Sequence, residues 1–189
     1  REQNSLKCTI GVQMLLLPEN RDEAKLLALT CKELGADYLV IKPYSQHLSS
    51  KTTKYENIDY SKMLDLENEL RDISNENFSV IFRANTMKKH VEKKQPYSTC
   101  HSTPFFWGYI SAKGEVFGCS AYLGDERFCY GNIYENSFKD IWEGEKRKES
   151  YRYIQNDLDI KDCRLNCRMD EVNRYLFRLK NPHEHDNFI

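Results

Sequence analysis

Ser111–Tyr122 reads SAKGEVFGCSAY. With the preceding PFFWGYI it forms a hairpin pattern, two runs of aromatic and β-branched residues about a turn on Lys113-Gly114. Cys119 stands five residues past that glycine, and Cys100 lies just ahead of the same unit. Both cysteines therefore sit toward the open end of the hairpin. Core packing alone does not ask for a cysteine at each foot of a hairpin, whereas a metal site does.

Working outward, Cys163 and Cys167 complete a C-x18-C-x43-C-x3-C pattern. They precede a last helix presenting Met169, Val172, Leu176 and Leu179. At a spacing of one helical turn, both thiolates can face one point. Four thiolates converging from separate segments suit a tetrahedral sulfur site, meaning zinc or an iron–sulfur cluster. The N-terminus of the last helix would favour the negative thiolates. The bland alternative is that these cysteines are small buried hydrophobes. That alternative is the better reading for Cys8, on a strand beside Ile10 and Val12, and for Cys31, on a helix stripe. Cys129, in ERFCYGNI, is a substitute ligand at most.

Upstream, CTIGVQMLLLPEN and DYLVIKPY read as buried strands, apolar almost throughout as parallel strands are. Between them Asn20 is expected to cap a helix, with Glu23 completing a capping box. Ala24, Leu27, Ala28, Cys31 and Leu34 form its stripe, and Gly35 closes it. A polar loop, SQHLSSKTTKYENID, leads to a helix over Tyr60–Ile73 with Met63, Leu66, Leu70 and Ile73 on one face, then to a third strand, FSVIFR. This strand–helix alternation predicts a segment of a partial (β/α) barrel over 1–91, an α/β fold. The character changes near KKHVEKKQPYS, and residues 92–189 are expected to form a small α+β domain around the hairpin. There Ser137 caps a short helix bearing Phe138, Ile141 and Trp142.

The chain has 189 residues, 40% hydrophobic and 30% charged, which is ordinary for a globular protein. A net charge of −1 argues against a nucleic-acid binder, whose phosphate contacts need a basic surplus. No apolar run approaches the length of a bilayer span. The opening REQNSLKCTI shows neither a signal-peptide pattern nor an initiator methionine, so the chain reads as a cytoplasmic fragment of something longer. Seven cysteines in such a chain point to metal or catalysis sooner than to a disulfide framework. The closing HEHDNFI reads as a flexible tail rather than a metal site.

C-x18-C enclosing GEVFGC, then GNIYENSFKDIW, then a C-terminal cysteine pair, resembles the twitch domain of radical SAM enzymes, the shortened relative of the SPASM domain. The resemblance spans about residues 83–180. It implies one auxiliary [4Fe–4S] cluster held by Cys100, Cys119, Cys163 and Cys167. VQMLLLPENRDEAKLLALTCKELGADYLVIKPY is similar to a later strand–helix–strand of the family's partial barrel. The CxxxCxxC motif, which in the family holds the SAM-cleaving cluster, is absent. SAM and that second [4Fe–4S] cluster would then belong to a full-length enzyme, and this chain by itself would not cleave SAM.

The resemblance implies an oxidoreductase. Four cysteines would fill every iron corner, so the cluster would accept an electron from a substrate radical rather than bind substrate. Twitch-type dehydrogenases do this on a secondary alcohol of an aminocyclitol. A small sugar or cyclitol substrate and an electron-transfer partner such as flavodoxin or ferredoxin follow from the same likeness. The alternatives are a peptide-modifying SPASM-type maturase and a non-catalytic zinc module. In the twitch dehydrogenases an arginine placed like Arg83, seventeen residues before Cys100, lies near the substrate hydroxyl. Here it reads as a positioning group or as a surface-paired arginine. Active sites of barrels gather at the C-terminal strand ends, which puts Lys42 and Tyr44 beside Arg83 on one rim, with His47 as a further candidate. Gln13, polar within an apolar strand, points to SAM or substrate in the lumen or makes a structural hydrogen bond.

Overall fold

The computed structural model describes residues 6–186. The chain divides into two compact units. One runs up to Gln46 and resumes over Ser50–Lys93; the other comprises His47–Ser49 and the chain from Lys94 onward.

In the first unit, strands β1 (Gly11–Leu16), β2 (Tyr38–Pro43) and β3 (Ser79–Phe82) form a parallel sheet in that order. Helices α1 (Ala24–Glu33), α2 (Leu66–Arg71) and α3 (Ala84–Glu92) contribute Ala28, Cys31, Leu66, Leu70 and Met87 to one core with Met14, Leu16, Leu39 and Ile41 of the strands. The apolar runs predict strands covered on both faces. The structure covers one, because three helices on a three-stranded sheet leave Gln13, Leu15 and Ile81 exposed. Among the described residues no barrel closes; the sheet is open, with β1 and β3 as its edges.

Several local expectations change. Asn20 does not cap α1. It lies inside a 3₁₀ segment, Pro18–Glu23, where its Oδ1 accepts the Leu17 N–H at 2.8 Å and its Nδ2 donates to the Leu15 carbonyl at 3.0 Å. Proline at the start of that segment favours the tight turn. Ala24, Ala28 and Cys31 are buried as the stripe requires, but Leu34 is 80% exposed at the frayed helix end. The helix expected over 60–73 is a 3₁₀ turn, Tyr60–Met63, followed by α2, and Tyr60, Met63, Leu66, Leu70 and Ile73 are all buried. Helix α3 is unanticipated, because only Ala84 and Met87 mark its buried face.

In the second unit, β4 (Tyr109–Ile110), β5 (Glu115–Phe117) and β6 (Cys129–Asn132) form an antiparallel sheet in that order. The hairpin turn is closed by the Ser111 N–H donating to the Glu115 carbonyl at 2.8 Å, with Gly114 at φ +80°. Strand β6 was hidden in ERFCYGNI by its glycine and its short length. Asn132 at its end donates to the Lys113 carbonyl at 3.0 Å, tying the strand to the hairpin turn. Helix α4 (Phe138–Glu143) is capped by Ser137, whose Oγ accepts the Asp140 N–H at 3.2 Å. Ile141 packs on Val116 and Tyr130, with Trp142 against them. Helix α5 (Glu145–Asn156), too polar to stand out in sequence, buries Ile154 against Phe117 and Phe128. Helix α6 (Asp170–Lys180) ends the unit. Asp186 pairs with Arg178 and accepts the His183 N–H at 2.8 Å, whereas the last three residues of the HEHDNFI tail lie outside the described residues. Among the described residues no helix is long and apolar enough to cross a membrane.

Candidate metal centre

Cys100, Cys119, Cys163 and Cys167 line one cavity of the second unit. Cys119 follows β5 of the hairpin, and Cys100 lies in the loop ahead of β4. Gly118 precedes Cys119 and lets the chain pass against Tyr130; a Cβ there would sit 1.7 Å from the phenol oxygen. The Thr103 hydroxyl donates to the Gly118 carbonyl at 3.3 Å, fastening the Cys100 loop to the strand end that carries Cys119. Gln155 of α5 donates to the Cys100 carbonyl at 3.2 Å.

Cys163 and Cys167 are not on a helix. A 3₁₀ turn, Ile160–Asp162, ends at Cys163, and the chain then turns through Asn166 at φ 54° before α6 begins. Asparagine tolerates this left-handed conformation, and the loop brings both sulfurs to the cavity that a helical turn was expected to supply. Nor does α6 fully bury the stripe of Met169, Val172, Leu176 and Leu179, of which the first three are half-buried. Its buried residues are Asp170 and Asn173, while Leu179 is 60% exposed. Polar loops around the cavity need partners more than the apolar stripe needs cover. Asn173 Oδ1 accepts the His101 N–H at 2.7 Å and the Ser102 N–H at 2.9 Å, and its Nδ2 reaches the Cys100 sulfur at 3.4 Å. Asp170 accepts from the Tyr97 hydroxyl at 2.7 Å and from Arg174 at 2.9 Å.

Every sulfur has a polar neighbour. Ser102 Oγ lies 3.5 Å from the Cys100 sulfur, and the Tyr122 hydroxyl lies 3.5 Å from that of Cys163. Burial pushes the Cys119 thiol up, while the Ala121 and Tyr122 N–H groups and the Arg164 charge pull it back. Burial likewise holds Cys163 at about 11, against the Tyr122 hydrogen bond, and Cys167 at about 11, against the Met169 N–H. Charge on Cys100 and Cys119 raises both further, so the sulfurs sense one another. Pushed up by partial burial, the Cys119, Cys163 and Cys167 thiols are poor nucleophiles. Donors aimed at sulfur favour thiolate, the form that a bound metal enforces.

Among the described residues, no three His, Cys, Asp or Glu side chains close on one point as a single ion requires. A tetrahedral zinc with bonds of about 2.3 Å would bring its sulfurs within about 3.8 Å of one another. The cavity wall also carries Arg164 Nε and Trp107 Nε1, buried nitrogens with no acceptor among the described residues. Four thiols with donors turned to sulfur, and two orphaned N–H groups beside them, fit an anionic iron–sulfur cluster.

The other three cysteines lie elsewhere. Cys31 is buried in α1, Cys8 is exposed ahead of β1, and Cys129, on β6, packs beside Phe117 and Phe128 without lining this cavity. In the first unit Gln13 and Lys42 share the uncovered sheet face, where Gln13 is exposed rather than buried in a lumen. Tyr44 follows β2, with its hydroxyl on Gln46 Oε1 at 3.0 Å and its ring 5.6 Å from Tyr55. Arg83 is exposed at the start of α3, its N–H donating to the Ile41 carbonyl at 2.9 Å. His47 belongs to the second unit, where Nε2 lies 3.5 Å from the Ser120 carbonyl. Sequence reasoning missed Asn173, Tyr122, Trp107 and Arg164. The one available signal was position, since Arg164 falls inside the C-x3-C pair and Tyr122 three residues past Cys119.

Residues 100–168 match the family model of SPASM, an iron–sulfur cluster-binding domain. This segment contains all four cavity cysteines, and it supports iron–sulfur cluster binding. No curated protein and no solved structure matches the chain significantly.

Proposed function

We propose that this chain is part of a radical SAM oxidoreductase and that Cys100, Cys119, Cys163 and Cys167 hold an auxiliary [4Fe–4S] cluster. The observation that carries the reading is one cavity lined by four thiols, each with a polar neighbour at its sulfur. When bound, the cluster supplies a one-electron acceptor for a substrate radical. Net oxidation of a secondary alcohol to a ketone would need a hydrogen atom taken from carbon by a SAM-derived radical of the full-length enzyme, one electron taken up by the cluster that the four cysteines would hold, and one proton passed to a base or solvent. A small sugar or cyclitol is the substrate this reading favours.

The chain's own residues do three things in it. Four cysteines leave no iron corner open, so substrate is held elsewhere. Asn173, Ser102 and Tyr122 fix thiolate positions from outside the ligand set. Gln13, Lys42 and Arg83, at the uncovered face and the strand ends, are the polar groups on offer to SAM and substrate, with Arg83 as a charged positioning group for the hydroxyl oxygen. Tyr44 is spent on Gln46 and Tyr55, so its part is to shape the loop after β2. A zinc staple is the competing reading, and metal analysis separates the two. The test is iron, sulfide and zinc per chain after anaerobic purification, with an absorbance spectrum. About four irons and four sulfides are expected with brown colour; one zinc and no sulfide refutes the proposal.

A further inference from the structure

Arg164 and Trp107 both line the cysteine cavity, and Arg164 Nε and Trp107 Nε1 are buried with no acceptor among the described residues. An orphaned buried donor is costly, and two belong to residues lining the cavity of the same four thiols. Their neighbours are otherwise arranged. The Trp107 ring is 5.2 Å from that of Tyr109, and the Arg168 guanidinium sits 5.7 Å from its centroid, so the ring is held by its faces and its N–H is left over. Arg164 is placed by the loop between Cys163 and Cys167, and its charge reaches Cys119. What these groups lack is an anionic acceptor, and the described residues supply none.

We infer that Arg164 Nε–H and Trp107 Nε1–H are donors to the sulfurs of the cluster and set its reduction potential. The inference rests on the cluster proposed above. With four thiolate ligands the oxidised cluster is an anion, and reduction adds one more negative charge. A guanidinium and two N–H dipoles therefore stabilise the reduced form more than the oxidised form, and raise the potential. The effect is to make the cluster a readier acceptor for the electron of a substrate radical. Ligation is unchanged, because neither residue replaces a cysteine.

The experiment is a midpoint titration of the anaerobically reconstituted 189-residue chain, followed by EPR, with iron and sulfide counted on each sample. Trp107→Phe keeps the ring and removes only the N–H. Arg164→Gln removes the charge, and Arg164→Lys restores charge without the fixed Nε–H. Expected are unchanged iron counts and more negative midpoints in all three. Arg164→Gln moves most, by roughly tenfold in the one-electron equilibrium, about 59 mV, and Arg164→Lys lies between it and the parent. Full iron content with midpoints equal to the parent in Trp107→Phe and Arg164→Gln overturns the inference and leaves the cluster standing. A parent chain that binds no iron refutes the cluster, and the inference with it. Should Arg164→Gln lose iron, the Trp107→Phe midpoint decides.

Discussion

Asn173 is the residue whose loss the structure prices most directly. Its side chain is 1% exposed and closes three contacts, accepting two consecutive N–H groups of the Cys100 loop and donating to the Cys100 sulfur. Asn173→Ala leaves the Ser102 N–H buried and unpaired, a cost of about 1–3 kcal/mol. The His101 N–H is half-buried, so water replaces part of its bond and the loss is nearer about 1 kcal/mol. The contact to sulfur is long, at 3.4 Å, and adds less. The sum is about 2–4 kcal/mol, which lowers the melting temperature of the second unit by roughly 10–20 °C. Thermal unfolding of the metal-free chain by circular dichroism reads this, and iron content after reconstitution reads its consequence for the site. Asn173→Asp keeps the acceptor and loses the donor, so iron retention should fall further than its melting temperature suggests. An Asn173→Ala chain melting within about 2 °C of the parent and taking up a full complement of iron would refute the argument that α6 positions the Cys100 loop through this side chain.

Cys163→Ala should abolish iron retention, whereas Cys31→Ala and Cys129→Ala should keep it and only perturb packing; equal loss in all three, by iron assay, would overturn the choice of ligands. Gly118→Ala drives a Cβ into Tyr130, an overpacking cost of about 1–3 kcal/mol in denaturant unfolding, and Tyr130→Phe in the same chain should recover part of it by removing the atom 1.7 Å away. His90 packs 5.7 Å from the Tyr60 ring with its Nε2 buried and unpartnered among the described residues, and burial holds its pKa below the ordinary value, with Lys93 adding to the effect. Its neutral form is the one the fold accommodates. Stability it contributes is therefore present above the unfolded pKa of about 6.5 and is lost as pH falls through the lower folded value. Melting curves between neutral and mildly acidic pH should show the first unit weakening on acidification, and His90→Phe should flatten that dependence.

Neighbouring residues suffice to specify the conformation of several segments. The strand runs before α1 and α2, the hairpin about Gly114, the Ser137 cap and the buried face of Tyr60–Ile73 all follow from apolar period, turn chemistry or a side chain three residues from its backbone partner. The four cysteines were legible as a set for the same reason, since spacing and residue type are written in the chain. Helix α5 and strand β6 escaped because one is nearly all polar and the other is four residues long with a glycine inside. Their burial depends on what packs against them.

Sequence alone therefore determined which sulfurs are candidates and which segments carry them. Tertiary structure decided how they are presented. That Cys163 and Cys167 flank a left-handed turn at Asn166, that α6 turns Asp170 and Asn173 inward while Leu179 faces solvent, and that Tyr122 reaches Cys163 are outcomes of competition among distant groups. The Asn173 bond to His101 joins residues 72 positions apart. A helix buries whichever face satisfies more of what it meets, and here buried N–H groups needing acceptors outweighed an apolar stripe that stays half-buried and ends exposed at Leu179. Periodicity records the leucines; the unsatisfied donors exist only once the loops have folded around the cavity.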